Sequence, residues 1–546
     1  MSSTLSTQAE EVRLLAADLA AGLSRTASRS ATIAQERAIL RMLGVDGLDR
    51  AGRPLAASLA ERYCGSNAGR LARGMVLPFV VAMIEYDLPA QDLALDGASG
   101  AIDLALEAEL LARPDRLAGA EARARKLLAG AFDRFDANRT ATREMRDVLG
   151  LPDEPWLGVS LQSTEVVPAI AETRKLIGDG ADVVQVRVPA SWEFAQARRQ
   201  AGLDTPGLFA TEEPKRGREA RRSGRSTRLD RQRPVPPRPA PDPIPAGSQR
   251  GLASLRKTAD DAAARRGRYA SLMTVTSAFA APEQAVVAAF ERIDHVAADP
   301  IREIVEDNVD PGRALADHAF AHRLQARAGS WVVVGPGPLA LGADLASGLP
   351  SDAATRAGRA IALQALGVEL AIADGLPVDR LLLGAIPDWS IGDGKAASIL
   401  LQAWLRRALF PGCRLVVDGQ TSWLGSAGAA VALVSAMTGG AASIVLEPSA
   451  PASVSAAAAD LASAGRTAKA LRASIGDDQL HGDAAALGEA TLREAAAVLQ
   501  RLSAEGWGSL LGPAGRNADA ERLGGSALVE RDFGPISGAR LFEGLL

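Results

Sequence analysis

Eight short apolar runs recur between Trp156 and Pro448, and a helix-patterned segment follows each one. They are Trp156–Leu161, Asp182–Val188, Tyr269–Val275, Ile293–Val296, Trp331–Val334, Arg380–Ala385, Arg414–Val417 and Ser443–Leu446. Strands this short and this apolar must be covered on both faces. Eight such units in succession predict a closed (β/α)8 TIM barrel of the α/β class. A barrel of this kind carries its chemistry on the loops that leave the C-terminal strand ends.

The chain has 546 residues, well beyond the roughly 250 of a barrel alone. We expect a helical N-terminal region over residues 1–150, the barrel over 151–465 and a C-terminal helical tail over 466–546. Apolar spacing of three and four residues predicts helices over Gln8–Ala21, Ile33–Leu43, Pro54–Tyr63, Leu71–Tyr86, Glu107–Ala131 and Asn138–Leu149. In the first barrel unit, Ser163 and Thr164 are candidate N-caps for a helix over Glu165–Ile177, and Gly178 and Gly180 would end it.

The second unit breaks the rhythm with an Arg/Pro-rich insert at about 205–247. Residues 212–233 hold nine Lys or Arg and four Asp or Glu, and Pro234–Pro245 is dense in proline. Such a segment buries too little apolar surface to order itself, so it is expected to be a mobile linker at the catalytic end. It lacks interleaved aromatics for base stacking. The net charge of −4 gives no further reason to expect nucleic acid or an anionic membrane.

Cys64 and Cys413 are the only two thiols, too few for a disulfide framework or a four-cysteine zinc site. The N-terminus has no basic-then-apolar leader pattern, and no run reaches the ~20 apolar residues of a membrane span. A cytoplasmic protein is the expectation.

Several polar residues suggest chemistry. His318 and His322 share a helix face beside Asp317. No catalytic glutamate lies between them, so no metal site is expected there. His295, beside Asp294 and close to Asp299, ends the fourth apolar run, where acid–base work is the sharper reading and a structural role the plainer one. The glycines of Gly335-Pro-Gly-Pro-Leu-Ala-Leu-Gly342 suggest a phosphate cradle, but its two prolines each remove an N–H donor.

Four further stretches point to a family. They are Thr32–Asp49 (TIAQERAILRMLGVDGLD), Gly180-Ala-Asp-Val183, Pro282-Glu283 with Phe290-Glu-Arg-Ile-Asp294, and the tail near Leu523–Phe542. In order and spacing they resemble the alpha subunit of lysine 5,6-aminomutase, and the likeness covers nearly the whole chain outside the insert. The resemblance implies the barrel subunit of an isomerase that uses adenosylcobalamin and pyridoxal phosphate. It would shift an amino group on lysine, beta-lysine, ornithine or a related diamino acid. Both cofactors would be shared with a smaller beta subunit carrying the cobalamin-binding domain, with its Asp-x-His-x-x-Gly motif, and the Schiff-base lysine. This chain has no Asp-x-His-x-x-Gly, as an alpha half should not.

Position by position, the resemblance implies a cofactor-binding set of Arg187, Ser191, Ser277 and Arg302, with no residue assigned to catalysis. Ser277 falls on a cofactor-contacting serine just past the third strand. Arg187 lies one position before the family's cofactor-proximal arginine, and Ser191 matches the phosphate-binding serine after a two-residue deletion. The aromatic that stacks on the pyridine ring falls on Arg302, whose planar guanidinium can also stack. A substrate-engaging aspartate falls on Gly337 and a carboxylate-binding lysine on Val416, and neither residue can replace a charge. Two readings follow: an aminomutase with an altered substrate, or a non-catalytic barrel that binds a beta-type partner or a small molecule.

Overall fold

The computed structural model describes residues 3–152, 156–188, 191–200, 245–335, 353–384, 405–418, 442–446, 483–509 and 522–545. Residues 205–244 of the insert, Gly337 and residues 466–482 of the tail lie outside them. The chain opens with α1 (Ser3–Ala27), β1 (Ser30–Thr32), α2 (Ile33–Met42), α3 (Leu55–Cys64), α4 (Ala68–Arg73), α5 (Val76–Glu85), α6 (Ala90–Ser99), α7 (Leu104–Glu107) and α8 (Pro114–Leu149). Helix α2 starts in a capping box: the Gln35 N–H donates to Thr32 Oγ1, and the Thr32 N–H donates to the Gln35 side chain.

Two boundaries differ from the spacing-based expectation. The helix predicted over Leu71–Tyr86 is split into α4 and α5 by Gly74, at φ 75°. A Cβ there would sit 3.0 Å from the Glu36 carboxylate, in a conformation only glycine adopts easily. Conversely, the segments ending at Ala131 and starting at Asn138 fuse into one 36-residue helix, α8. Asn138 caps a different element: its Nδ2 donates to the Ala289 and Phe290 carbonyls.

Strands β2 (Trp156–Ser160), β3 (Val183–Val186), β4 (Ser271–Val275), β5 (His295–Ala297), β6 (Trp331–Val334), β7 (Leu381–Leu383), β8 (Arg414–Asp418) and β9 (Ala442–Leu446) form a closed barrel in chain order. All pairs are parallel, and β9 closes on β2 with Trp156 opposite Ser443. Among the described residues, the intervening helices include α9 (Val166–Asp179), α10 (Trp192–Gln200), α11 (Gln249–Arg266), α12 (Ala281–Glu291), α13 (Pro300–Val305), α14 (Pro311–Ala328) and α15 (Ala353–Ala373). Glu165 stands at the N-cap of α9 without a side-chain cap bond, so neither Ser163 nor Thr164 has that role. Helix α10 was not foreseen. It follows β3 and precedes the insert, whose far end rejoins the barrel where Pro245 bridges Glu165.

Alternation along the strands sorts two layers. Leu157, Val159, Val184, Val186, Leu272, Val296, Val332 and Val334 pack outward under the helices. Trp156, Val183, Met273, Trp331, Leu382 and Val416 fill the lumen as a separate cluster. Leu5, Val12, Ala16 and Ala20 of α1 join the barrel's outer layer, whereas residues of α2–α8 form a second core with faces of α12 and α14.

The tail adds α16 (Asp483–Glu505), β10 (Leu528–Glu530) and α17 (Gly538–Glu543). Strand β10 pairs antiparallel with β1, Thr32 opposite Leu528, so the two ends of the chain meet in a two-stranded sheet that helical spacing did not suggest. Among the described residues, no helix is long and apolar enough to cross a membrane.

Candidate functional site

Beyond the C-terminal ends of β3, β4 and β5, three of the four expected residues meet on one stretch of backbone. Ser191 is the residue before α10. Its Oγ accepts from the Phe194 N–H at 3.2 Å, which caps the helix, and donates to the Ala278 carbonyl at 2.7 Å. Its own N–H donates to Ser277 Oγ at 3.0 Å. Arg302, on α13, donates from Nη2 to the Thr276 carbonyl at 2.7 Å. Residues 276–278 are thus bound from both sides, by Arg302 from the β5 unit and by Ser191 from the β3 unit. Arg187 stands exposed one residue past β3, at the same end of the barrel.

These bonds distinguish the two serines. The Ser191 hydroxyl hydrogen is committed to Ala278, so that side chain supports the loop. Ser277 uses its oxygen as an acceptor and keeps its hydrogen for another partner. A serine hydroxyl with its donor free, beside the first turn of a nine-residue helix and on the same barrel end as an exposed arginine, suits a phosphate group. Pyridoxal phosphate fits this donor set.

The second layer is acidic. Asp299 caps α13, accepting from the Ile301 N–H at 2.9 Å, and its other oxygen accepts from the Gly335 N–H at 3.1 Å, tying the β5 loop to the β6 loop. Burial raises its pKa. Glu303 is fully buried; Oε1 meets His318 Nε2 at 3.0 Å while Oε2 has no hydrogen-bond partner. Burial, only partly offset by Arg302, pushes its pKa up to about 7. Burial likewise raises Asp307 to about 6 against the pull of Arg302. Neither Glu303 nor Asp307 had a sequence signal; the reach from α13 to His318 on α14 exists only in the fold.

His295 is corrected. It opens β5 instead of ending it, and its ring lies inside the N-terminal end of the barrel, stacked on Trp331 at 4.9 Å and edge-on to Trp156 at 5.9 Å. Burial pulls its pKa down to about 3, so it is neutral and remote from the catalytic end. His318 and His322 are also buried, each held by a carboxylate: Glu303 on Nε2 of one and Asp374 on Nδ1 of the other, at 2.8 Å. Among the described residues no three His, Cys, Asp or Glu side chains converge as a metal site. None of these three histidines is placed to ligate a cobalamin. Val416 packs in the lumen in the apolar cluster that includes Trp156 and Trp331.

Comparison with known proteins adds the lineage. The chain matches the family described as D-lysine 5,6-aminomutase TIM-barrel domain of alpha subunit over residues 5–191 and 247–424, on either side of the insert. It is 24% identical to the lysine 5,6-aminomutase alpha subunit of Fusobacterium nucleatum over 74% of this chain and 68% of the relative. The corresponding subunit of Acetoanaerobium sticklandii is 23% identical over the same shares. A solved structure, Yersinia pestis DHPS with a pterine-sulfa conjugate, overlaps 59% of this chain and 95% of its own at 14% identity, but a TM-score of 0.31 gives the overlap no weight.

Proposed function

Because the chain belongs to the family of D-lysine 5,6-aminomutase alpha-subunit TIM-barrel domains, we propose that it is the barrel subunit of an adenosylcobalamin- and pyridoxal-phosphate-dependent aminomutase. With a beta subunit it would act on lysine, beta-lysine, ornithine or a related diamino acid. The observation that carries this reading is the Ser191–Ser277 pair at the C-terminal strand ends, with the Ser277 hydroxyl hydrogen uncommitted.

When bound, the two cofactors supply the radical chemistry that moves an amino group to the neighbouring carbon. The chain's own residues bind, orient and exclude water. Ser277 would donate its hydroxyl hydrogen to the phosphate, the N-terminal end of α10 beside it would add the partial positive charge of its helix dipole, and Arg187 would supply a full positive charge. Arg302, its guanidinium pinned to the Thr276 carbonyl, would lie beside the ring. Below the site the lumen is plugged by Val183, Met273, Leu382 and the stacked Trp156, His295 and Trp331, so water has no entry from the far end. The resemblance places cobalamin on the beta subunit's Asp-x-His-x-x-Gly histidine, and His295, His318 and His322 of this chain are all buried in other bonds or stacks.

One observation favours the second reading, a barrel that holds its partner without turnover: Val416, which the resemblance matches to a carboxylate-binding lysine, is buried among apolar side chains. The test is co-expression with a chain carrying Asp-x-His-x-x-Gly and a Schiff-base lysine. Visible absorption of the purified complex reports both cofactors, and product formation is followed with each diamino acid. We expect both cofactors to bind and free lysine to be a poor substrate. A complex that binds neither cofactor overturns the proposal, and one that binds both but turns over no diamino acid selects the non-catalytic reading.

A further inference from the structure

Glu193 carries no family signal, yet it lies two residues past Ser191 in the first turn of α10. Two arginines from distant elements hold its carboxylate. Arg313, on α14, grips it as a fork, Nη1 to Oε1 and Nη2 to Oε2, both at 3.1 Å. Arg37, on α2, donates from Nη1 to Oε2 at 2.5 Å. Burial opposes its charge, but the two guanidinium groups outweigh that and bring its pKa down to about 2.

The same two arginines hold the loop that carries Ser277. Arg37 donates from Nη2 to the Phe279 carbonyl at 2.6 Å and from Nε to Glu283 at 2.8 Å. Arg313 lies over the Phe279 ring, 4.6 Å from its centre, and donates from Nε to Asp317 at 2.7 Å. Phe279 takes φ 63°, a left-handed conformation that a phenylalanine keeps only when its surroundings hold it. Gly524 packs against the same ring, where a Cβ would come within 2.7 Å of it. Residues 191–194 and 276–280 are therefore fastened to one buried pair of cations, and Arg37 comes from the helical region before the barrel. Directional, charge-assisted bonds fix relative placement in a way that apolar packing does not.

We propose that Glu193 is a positioning residue: through Arg37 and Arg313 it locks the start of α10 against the 276–280 loop, so that the Ser277 hydroxyl and the α10 amides form one phosphate subsite braced by the N-terminal helices. This rests on the reading that the site takes pyridoxal phosphate.

The experiment compares equilibrium binding of pyridoxal phosphate and of pyridoxal, which has the same ring and no phosphate, to the full chain in complex with its beta-type partner. In Glu193→Gln, which keeps the shape and removes the charge, the preference for the phosphorylated form should fall about tenfold, with pyridoxal binding little changed. Asp294→Asn, at the opposite end of the barrel, should lower stability and leave that preference intact, which separates positioning from a general loss of fold. If Glu193→Gln does not fold, Arg37→Lys retains the charge and loses the planar fork, and it should lower the preference in the same direction. A preference unchanged in the folded variant overturns the inference. A wild-type complex that does not distinguish the two probes overturns instead the underlying reading of the site.

Discussion

The two ends of the barrel handle buried charge in opposite ways. At the N-terminal end, Asp182 and Asp294 each precede a strand and have every oxygen engaged. Asp182 accepts from the Leu157 N–H, Arg266 and Arg268. Asp294 accepts from the Leu272 N–H at 2.9 Å, the Tyr269 hydroxyl at 2.6 Å, Arg256 at 2.9 Å and Arg146 at 2.5 Å. At the C-terminal end Glu303 is equally buried but faces His318, whose own protonation burial and His322 suppress to about 3. Burial acts on both acids alike. Two guanidinium groups bonded directly to Asp294 hold it at about 2, whereas at Glu303 burial outweighs the pull of Arg302, the Phe279 amide and Arg313, none of whose side chains bonds it, and it rises to about 7. At one end both buried carboxylates have their oxygens fully engaged. The other keeps an unpartnered carboxylate oxygen and a free serine hydrogen, as an end that meets ligands should.

The contrast breaks first, if it is wrong, at Asp294. Asp294→Ala leaves Arg146 and Arg256 without their shared partner and should destabilise the chain by about 3–5 kcal/mol, read as a lower denaturant midpoint. A loss under about 1 kcal/mol would mean that the paired end is no more tightly built than a surface. Because the folded pKa lies below the unfolded 3.8, the stabilisation from Asp294 is present above that pH and fades as pH falls toward about 2.

The next effect in size belongs to the open end. Ser277→Ala should weaken pyridoxal phosphate by about 1.5–3 kcal/mol in the assembled complex, with the denaturant midpoint almost unmoved. A large fall in midpoint would make Ser277 structural and sink the division between the ends.

Glu303 sharpens the comparison through its sign. Its raised pKa makes a contribution that is full below 4.5 and lost as pH rises through about 7, opposite to Asp294. Glu303→Gln should therefore flatten the decline of stability between pH 5 and 8, the outcome to be checked by urea midpoints across that range (roughly the span its shift covers). The smallest change is expected from Arg302→Ala, about 1 kcal/mol in cofactor affinity, since one bond to the Thr276 carbonyl and one flat contact are lost.

Legibility differed between residues for identifiable reasons. The apolar runs were readable because both faces of each barrel strand are buried, so near-continuous hydrophobicity marks them. Ser277 is proposed from family likeness and from its place just past a strand. The position of His295 along its strand was misread, because a strand start displaced by two residues moves a side chain from the mouth of the barrel to its floor. Glu193 carried no signal at all, since a glutamate in the first turn of a surface-patterned helix looks solvated until Arg37 and Arg313 arrive from other parts of the chain.

Periodicity, composition and the order of the family-like stretches, read from the sequence, determined the barrel, its eight units, the interrupting insert and the lineage. Those properties are local or additive along the chain. Tertiary structure alone decided which polar groups end up paired. Arg37 lies 156 positions from Glu193, and Arg313 lies 120 positions beyond it. The energy of a buried charge depends on the few ångströms to its partner, a distance that no spacing in the sequence encodes.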